Sequence, residues 1–168
     1  MNTLKKHLIK GTIFVLIAGV LSHFVYEWSG KMRLIGLFFP INESVWEHMK
    51  LCFFPMLVAS FYLNRKLVSD YPCITSSLLL GVLMCAYLIP VLFYTYTGIL
   101  GYHIAFLDIS TFFVSVILSF IAIYKLTTSC RVASNTQFFK LLIFITAICF
   151  FLFTYRPPDL GIFVAPGR

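Results

Sequence analysis

The residues of this chain best suited to chemistry stand in two short stretches of an otherwise apolar sequence. His23 and Glu27 lie four apart in HFVYEW, while Glu47 and His48 lie within NESVWEHMK (residues 42–50), which also carries Glu43 and Lys50. Imidazole and carboxylate are the donors that zinc, manganese and iron accept, and they are also common general acids and bases. A spacing of four puts His23 and Glu27 on one face of a helix, one turn apart. Glu43, Glu47 and Lys50 follow the i, i+4, i+7 pattern on the next helix, with His48 pointing about 100° away from Glu47. Helical bundles build metal sites from His and Glu on facing helices. His23, Glu27, Glu47 and His48 are therefore the candidate metal ligands and catalytic groups, for a divalent ion such as zinc or for acid–base work. Asn42, Glu43, Trp46, Lys50 and Asp108 are the candidate ligand-binding residues, Glu43 and Asp108 serving as further metal ligands or a general base.

The elements that position these groups are set by composition. The 168 residues are 60% hydrophobic and only 11% charged, whereas a soluble domain carries about 25% charged residues. The chain belongs to the membrane class, as a single polytopic domain over residues 1–168. The net charge of +7 reads as orientation signals beside apolar spans, facing anionic headgroups, and no nucleic-acid partner is expected. The five cysteines, Cys52, Cys73, Cys85, Cys130 and Cys149, are scattered and form no CxxC pair, which predicts neither a disulfide framework nor a thiolate zinc site. Lys5, Lys6 and Lys10 before GTIFVLIAGVL resemble a signal peptide. No A-x-A cleavage pattern follows, and the apolar run continues to Trp28, so it reads as a retained first span.

A span needs roughly 20 mostly apolar residues. Five segments qualify, at about 11–28, 44–63, 74–94, 107–124 and 139–155, and lipid requires them to be helices. The expected fold is all-α, an integral membrane bundle of five transmembrane helices, with Pro55 and Pro90 kinking the second and third. Lys5, Lys6, Lys10, Arg65, Lys66, Lys125, Arg131 and Lys140 fall on one side, against Lys31, Arg33, Arg156 and Arg168 on the other. The positive-inside rule then puts the N-terminus in the cytoplasm and the C-terminus outside.

With that topology Glu27, Glu43, Glu47, Asp108, Asp159, His23, His48 and His103 collect at the outer ends of the spans, leaving only Asp70 and His7 inside. His23, about 18 Å along its helix from Gly11, is within the outer leaflet. An Asp or Lys at the centre of a spanning helix costs about 2.5–3.5 kcal/mol, so groups at depth should turn inward and find partners. Gly19, one turn below His23, lets a neighbour approach closely.

Part of NESVWEH has an ordinary role. Asn42 or Ser44 can cap the second helix, Ser44 and Glu47 match a capping box, and Trp46 suits the interface. That role leaves His48, Lys50, His23 and Glu27 unexplained. A structural polar network is the competing account, but interhelical hydrogen bonds in membranes contribute only about 0.6 kcal/mol each. His103, in a tract whose Gly98 and Gly101 mark a loop, reads as an exposed loop histidine. Pro157-Pro158 stops the last helix; Phe163 and Val164 could fold the tail back over the outer mouth of the bundle, or the tail could be a flexible end.

The pattern HFVYEWSG, then FFPINESVWEHMK, then LD-x-x-x-FF, then FTYRPP resembles an uncharacterised family of small bacterial multi-pass membrane proteins. NESVWEH is its most specific part. The resemblance covers nearly the whole chain and implies the architecture and the bacterial cell membrane as location, but no activity. The HxxxE of His23 and Glu27 is also similar to the emopamil-binding sterol isomerase group, small bundles in which His and Glu on facing helices transfer protons. Residues and resemblance lead to one expectation: a His/Glu pocket in the outer leaflet that binds a cation or a lipid-like ligand, with membrane lipids as partners. The alternative is an intramembrane metal-dependent or acid–base enzyme acting on a lipid or isoprenoid.

Overall fold

The structure, a computed structural model, describes residues 3–166. Helix α1 spans Thr3–Trp28 and a single turn, α2, spans Arg33–Gly36. The remaining long helices are α3 (Val45–Leu67), α4 (Ile74–Leu100), α5 (Ala105–Ser129) and α6 (Thr136–Phe153), with 3-10 turns at Ala133–Asn135 and Gly161–Phe163. No strand occurs among the described residues. α1, α4, α5 and the stretch Ala133–Phe153 are long and apolar enough to cross a membrane. Their outward faces carry Ile13, Ile17, Val91, Ile121, Leu141, Phe144 and Leu152, all exposed. Apolar side chains around the whole circumference of a helix belong in lipid or in a core.

α3 is the least apolar of the long helices. It carries Glu47, His48 and Lys50 near one end and Asn64, Arg65 and Lys66 at the other. It packs against both α1 and α4, while α4 also meets α5 and α6. Met49, Cys52, Phe53, Met56, Leu63 and Leu67 of α3 join Ile74, Val82, Cys85 and Ala86 of α4 in the core. The least apolar helix thus sits where polar groups find partners within the bundle. Pro55 and Pro90 lie inside continuous helices.

Element ends differ from the expected ones for local reasons. α1 starts at Thr3 and includes Lys5, Lys6 and Lys10, because basic residues at a membrane surface remain good helix formers. α4 runs on through Gly98 and stops at Gly101, whose φ of 80° places it in the left-handed region and whose N–H donates to the Thr97 carbonyl. That is the usual glycine ending of a helix.

The cysteine reading needs correction. Cys73 and Cys130, 57 positions apart in the sequence, form a disulfide with Cα atoms 5.3 Å apart. The connections put the start of α4 beside the end of α5, which spacing along the chain does not reveal. Cys52, Cys85 and Cys149 are free. The opposite end of the bundle gathers the ends of α1, α4 and α6 and the starts of α3 and α5, and there the candidate site lies.

Candidate metal and ligand site

Three polar groups form at this end among the described residues, and they divide the sequence candidates differently from helical spacing. The first is a closed ion pair. Lys50 Nζ donates to Glu47 Oε2 at 2.8 Å, to the Gly36 carbonyl at 2.9 Å and to Thr154 Oγ1 at 2.6 Å. Those three bonds use every donor of the ammonium group. Glu47 Oε2 also accepts from the Ile41 N–H at 3.0 Å, and Thr154 donates to the Phe150 carbonyl at 2.7 Å. Glu47 is 2% exposed and Lys50 1%. The pair joins the chain around Gly36–Ile41, the start of α3 and the end of α6, and leaves Glu47 no freedom to serve as a ligand.

The same pair dismantles half of the expected capping box. The Glu47 N–H donates to Ser44 Oγ at 3.3 Å, but the Glu47 carboxylate is held by Lys50. Asn42 Oδ1 takes the Ser44 N–H instead, at 2.9 Å. Asn42 is thus occupied as a turn residue. Trp46 is buried against Phe150, Phe153 and Phe163, so it anchors the folded-back tail. Tyr155 holds the tail too, its hydroxyl donating to the Arg33 carbonyl at 2.7 Å.

The second group is His23, Glu43 and His48. Both His23 Nε2 and His48 Nε2 stand 3.4 Å from Glu43 Oε2, and the ring centroids of the two histidines are 5.5 Å apart. One ligand atom from each lies within 4.8 Å of the others, a grouping able to hold a metal ion. Metal–ligand bonds of about 2.0–2.2 Å put neighbouring ligands of a tetrahedral ion roughly 3.3–3.6 Å apart. Two edges of this triangle already have that length. A direct charge-assisted N–H···O bond is shorter, at about 2.7–2.9 Å.

His48 is also oriented for the task. Its Nδ1 lies 2.8 Å from the Ser44 carbonyl. A carbonyl only accepts, so Nδ1 carries the proton and the neutral ring presents its Nε2 lone pair to Glu43. A backbone carbonyl on the far nitrogen is the usual support of a metal-bound histidine. Without a cation between them the lone pair and the carboxylate repel, which favours a proton on Nε2 in the metal-free protein. The His48 ring N–H facing Glu43 lowers that carboxyl most. Partial burial opposes it and the charge of His23 adds to it, bringing the pKa down from 4.5 to about 2.

Glu27 and Glu43 exchange the places that spacing assigns them. Glu27 is exposed and pairs with Lys31 at 3.4 Å, away from the triad. Glu43 stands before the first residue of α3, Val45, so the helical rule linking it to Glu47 does not apply. It turns instead toward His48 and His23.

Beside the triad is a cavity of about 520 Å³. Its floor is the contact of α1 with α3 and α5 at Gly19. A Cβ there would lie 2.8 Å from the Leu51 carbonyl oxygen and would overlap the Phe112 ring. Above that floor α1 contributes Val20, His23 and Phe24, and α5 contributes Asp108, Ile109 and Phe113. A third polar cluster also lines it. Asp108 accepts from the Tyr96 hydroxyl and from His103 Nδ1, the latter at 3.1 Å, and the Ile104 N–H donates to the Tyr96 oxygen at 3.3 Å. His103 is exposed, as a loop histidine should be, yet Asp108 holds its ring at the cavity. The signal for that pairing is a histidine one residue before a helix N-cap with an acid in the first turn, whereas spacing carries no signal for Tyr96. The tail reaches the cavity at Pro166.

Neither the curated proteins nor the solved structures contain a match to this chain. A family model does match, over residues 1–166, and on that extent the chain belongs to DUF6512, a family of unknown function.

Proposed function

We propose that this protein binds one divalent cation, zinc in the first instance, through His23, Glu43 and His48, beside an apolar ligand pocket at one end of a five-span bundle. The carrying observation is the His48–Glu43 contact. A ring whose Nδ1–H is committed to a carbonyl faces a carboxylate across a gap suited to a shared ion. Three protein ligands leave an open fourth position, the arrangement of zinc sites that accept water or a ligand.

In this reading α3 crosses the bilayer as the central span and the other four long helices surround it. The basic end, with Arg65, Lys66, Lys125 and Arg131, faces the cytoplasm by the positive-inside rule, and the metal end faces outward. The setting is the bacterial plasma membrane, with lipids as neighbours. Elemental analysis of protein purified in mild detergent tests the cation. One zinc per chain is expected, lost in His48→Ala and Glu43→Ala and kept in Glu27→Gln. Zinc retained by all three variants would refute the assignment.

A second reading, an enzyme acting on a lipid or isoprenoid, is favoured by one feature. The Asp108 carboxylate on His103 Nδ1 leaves Nε2 as a base, the orientation used in acid–base catalysis. Turnover of a lipid ester by the zinc-loaded protein, abolished by His103→Leu, would support it. Absence of turnover in wild type would remove it.

A further inference from the structure

The cavity beside the triad combines a charged corner with apolar walls, and the walls continue to the outside of the bundle. Gly19, Leu51, Ile89 and Phe112 form its inner part. Val20 and Phe24 on α1, with Ile109 and Phe113 on α5, line it while exposed on the surface. α5 closes on α1 at two levels below, where Phe120 approaches Gly11 and Phe112 approaches Gly19. Beyond Gly19 the two helices leave a cleft between them. In a spanning bundle that cleft opens sideways into the acyl region and not only toward water.

Charge selects what fits. Two neutral imidazoles and one carboxylate leave a divalent ion with a net positive charge, and the open coordination position favours an anionic oxygen. His103, held by Asp108 at the same cavity, offers a second polar contact. Such a site matches neither a purely apolar ligand nor a small hydrophilic anion. Its volume lies within the range of roughly 300–1,000 Å³ usual for small-molecule sites.

We propose that the ligand of this pocket is an oxyanion-headed amphiphile drawn from the bilayer. Its head binds the open position of the cation held by His23, Glu43 and His48, and its chain lies in the cleft between Val20–Phe24 and Ile109–Phe113. This rests on the cation reading, and it adds the class of ligand and the route of entry.

The test is a titration of zinc-loaded and chelator-stripped protein in detergent, with zinc per chain measured on the same samples. The probes are oleate, acetate as the head alone and oleyl alcohol as the chain alone. Oleate is expected to bind at least tenfold more tightly to the zinc form than to the stripped form. Acetate and oleyl alcohol are each expected to bind at least tenfold more weakly than oleate. Ile109→Trp, which fills the cleft, is expected to weaken oleate at least tenfold when compared at equal zinc content. Equal oleate affinity with and without zinc, or acetate binding as well as oleate, overturns the ligand class and leaves the cation site standing. Wild-type protein that takes up no zinc overturns both, and the metal analysis alone reveals that case.

Discussion

Lys50→Met separates a structural ion pair from a metal site. In the native protein the ammonium makes three bonds at 2.6–2.9 Å in a region from which water is excluded. The substitution keeps the length of the side chain and leaves the Glu47 carboxyl, 2% exposed, with the Ile41 N–H and the Thr154 hydroxyl as its donors. Removing one partner of a buried pair costs about 3–5 kcal/mol. For a chain of this size each kcal/mol lowers the melting temperature by about 2–4 °C, so the expected fall is about 6–20 °C. Replacing both groups, Glu47→Leu with Lys50→Met, removes the stranded carboxyl and should recover most of the loss, since apolar replacement of buried pairs is often neutral or stabilising. Thermal unfolding in mild detergent can be followed with a thiol-reactive dye, because Cys52 and Cys85 are free and buried. Zinc content should stay at the wild-type level in folded Lys50→Met, since the triad does not include the pair. A fall below about 2 °C, or a double variant as damaged as the single one, would refute the reasoning.

Two further predictions concern charge and redox state. In zinc-stripped protein Glu43 has its pKa lowered to about 2, so the stability it contributes there is complete above its ordinary value of 4.5 and is lost as the pH falls toward 2. Melting temperature should show that decline in wild type and a shallower one in Glu43→Gln; identical profiles would contradict the pairing. The Cys73–Cys130 pair lies at the basic end, which the proposed topology places in the cytoplasm, where disulfides are rare. Both thiols are therefore expected to be alkylated by a membrane-permeant maleimide in intact cells and to oxidise on aerobic purification. A disulfide already formed in cells would place that end in an oxidising compartment and reverse the topology.

The all-helical character of the fold was legible because lipid imposes one simple rule, long apolar helices, and four of the helices meet it. α3 is less apolar, since Glu47, His48 and Lys50 interrupt it, and its place between α1 and α4 gives such residues partners. The candidate site gathers some of the residues that spacing singles out, His23 and His48, and leaves others, Glu27 and Glu47, with partners elsewhere. Spacing rules apply only inside a helix, and Glu43 stands outside α3, so they gave it the wrong neighbours. Glu47 and Lys50 are three apart on one helix, close enough to satisfy each other. What removes them from the site is Thr154, 104 residues beyond Lys50, together with the Gly36 carbonyl. The Cys73–Cys130 bond and the Tyr96–Asp108–His103 cluster likewise depend on how α4 and α5 are set side by side, and no local pattern encodes that.

X-ray absorption at the zinc edge of the metal-loaded protein addresses the central claim most directly. A first coordination sphere of two imidazole nitrogens and a carboxylate oxygen at about 2.0–2.2 Å, with an exchangeable fourth ligand, is predicted, and Glu43→Gln should change it while Glu27→Gln should not. A sphere containing sulfur, or one indifferent to Glu43, would contradict the account.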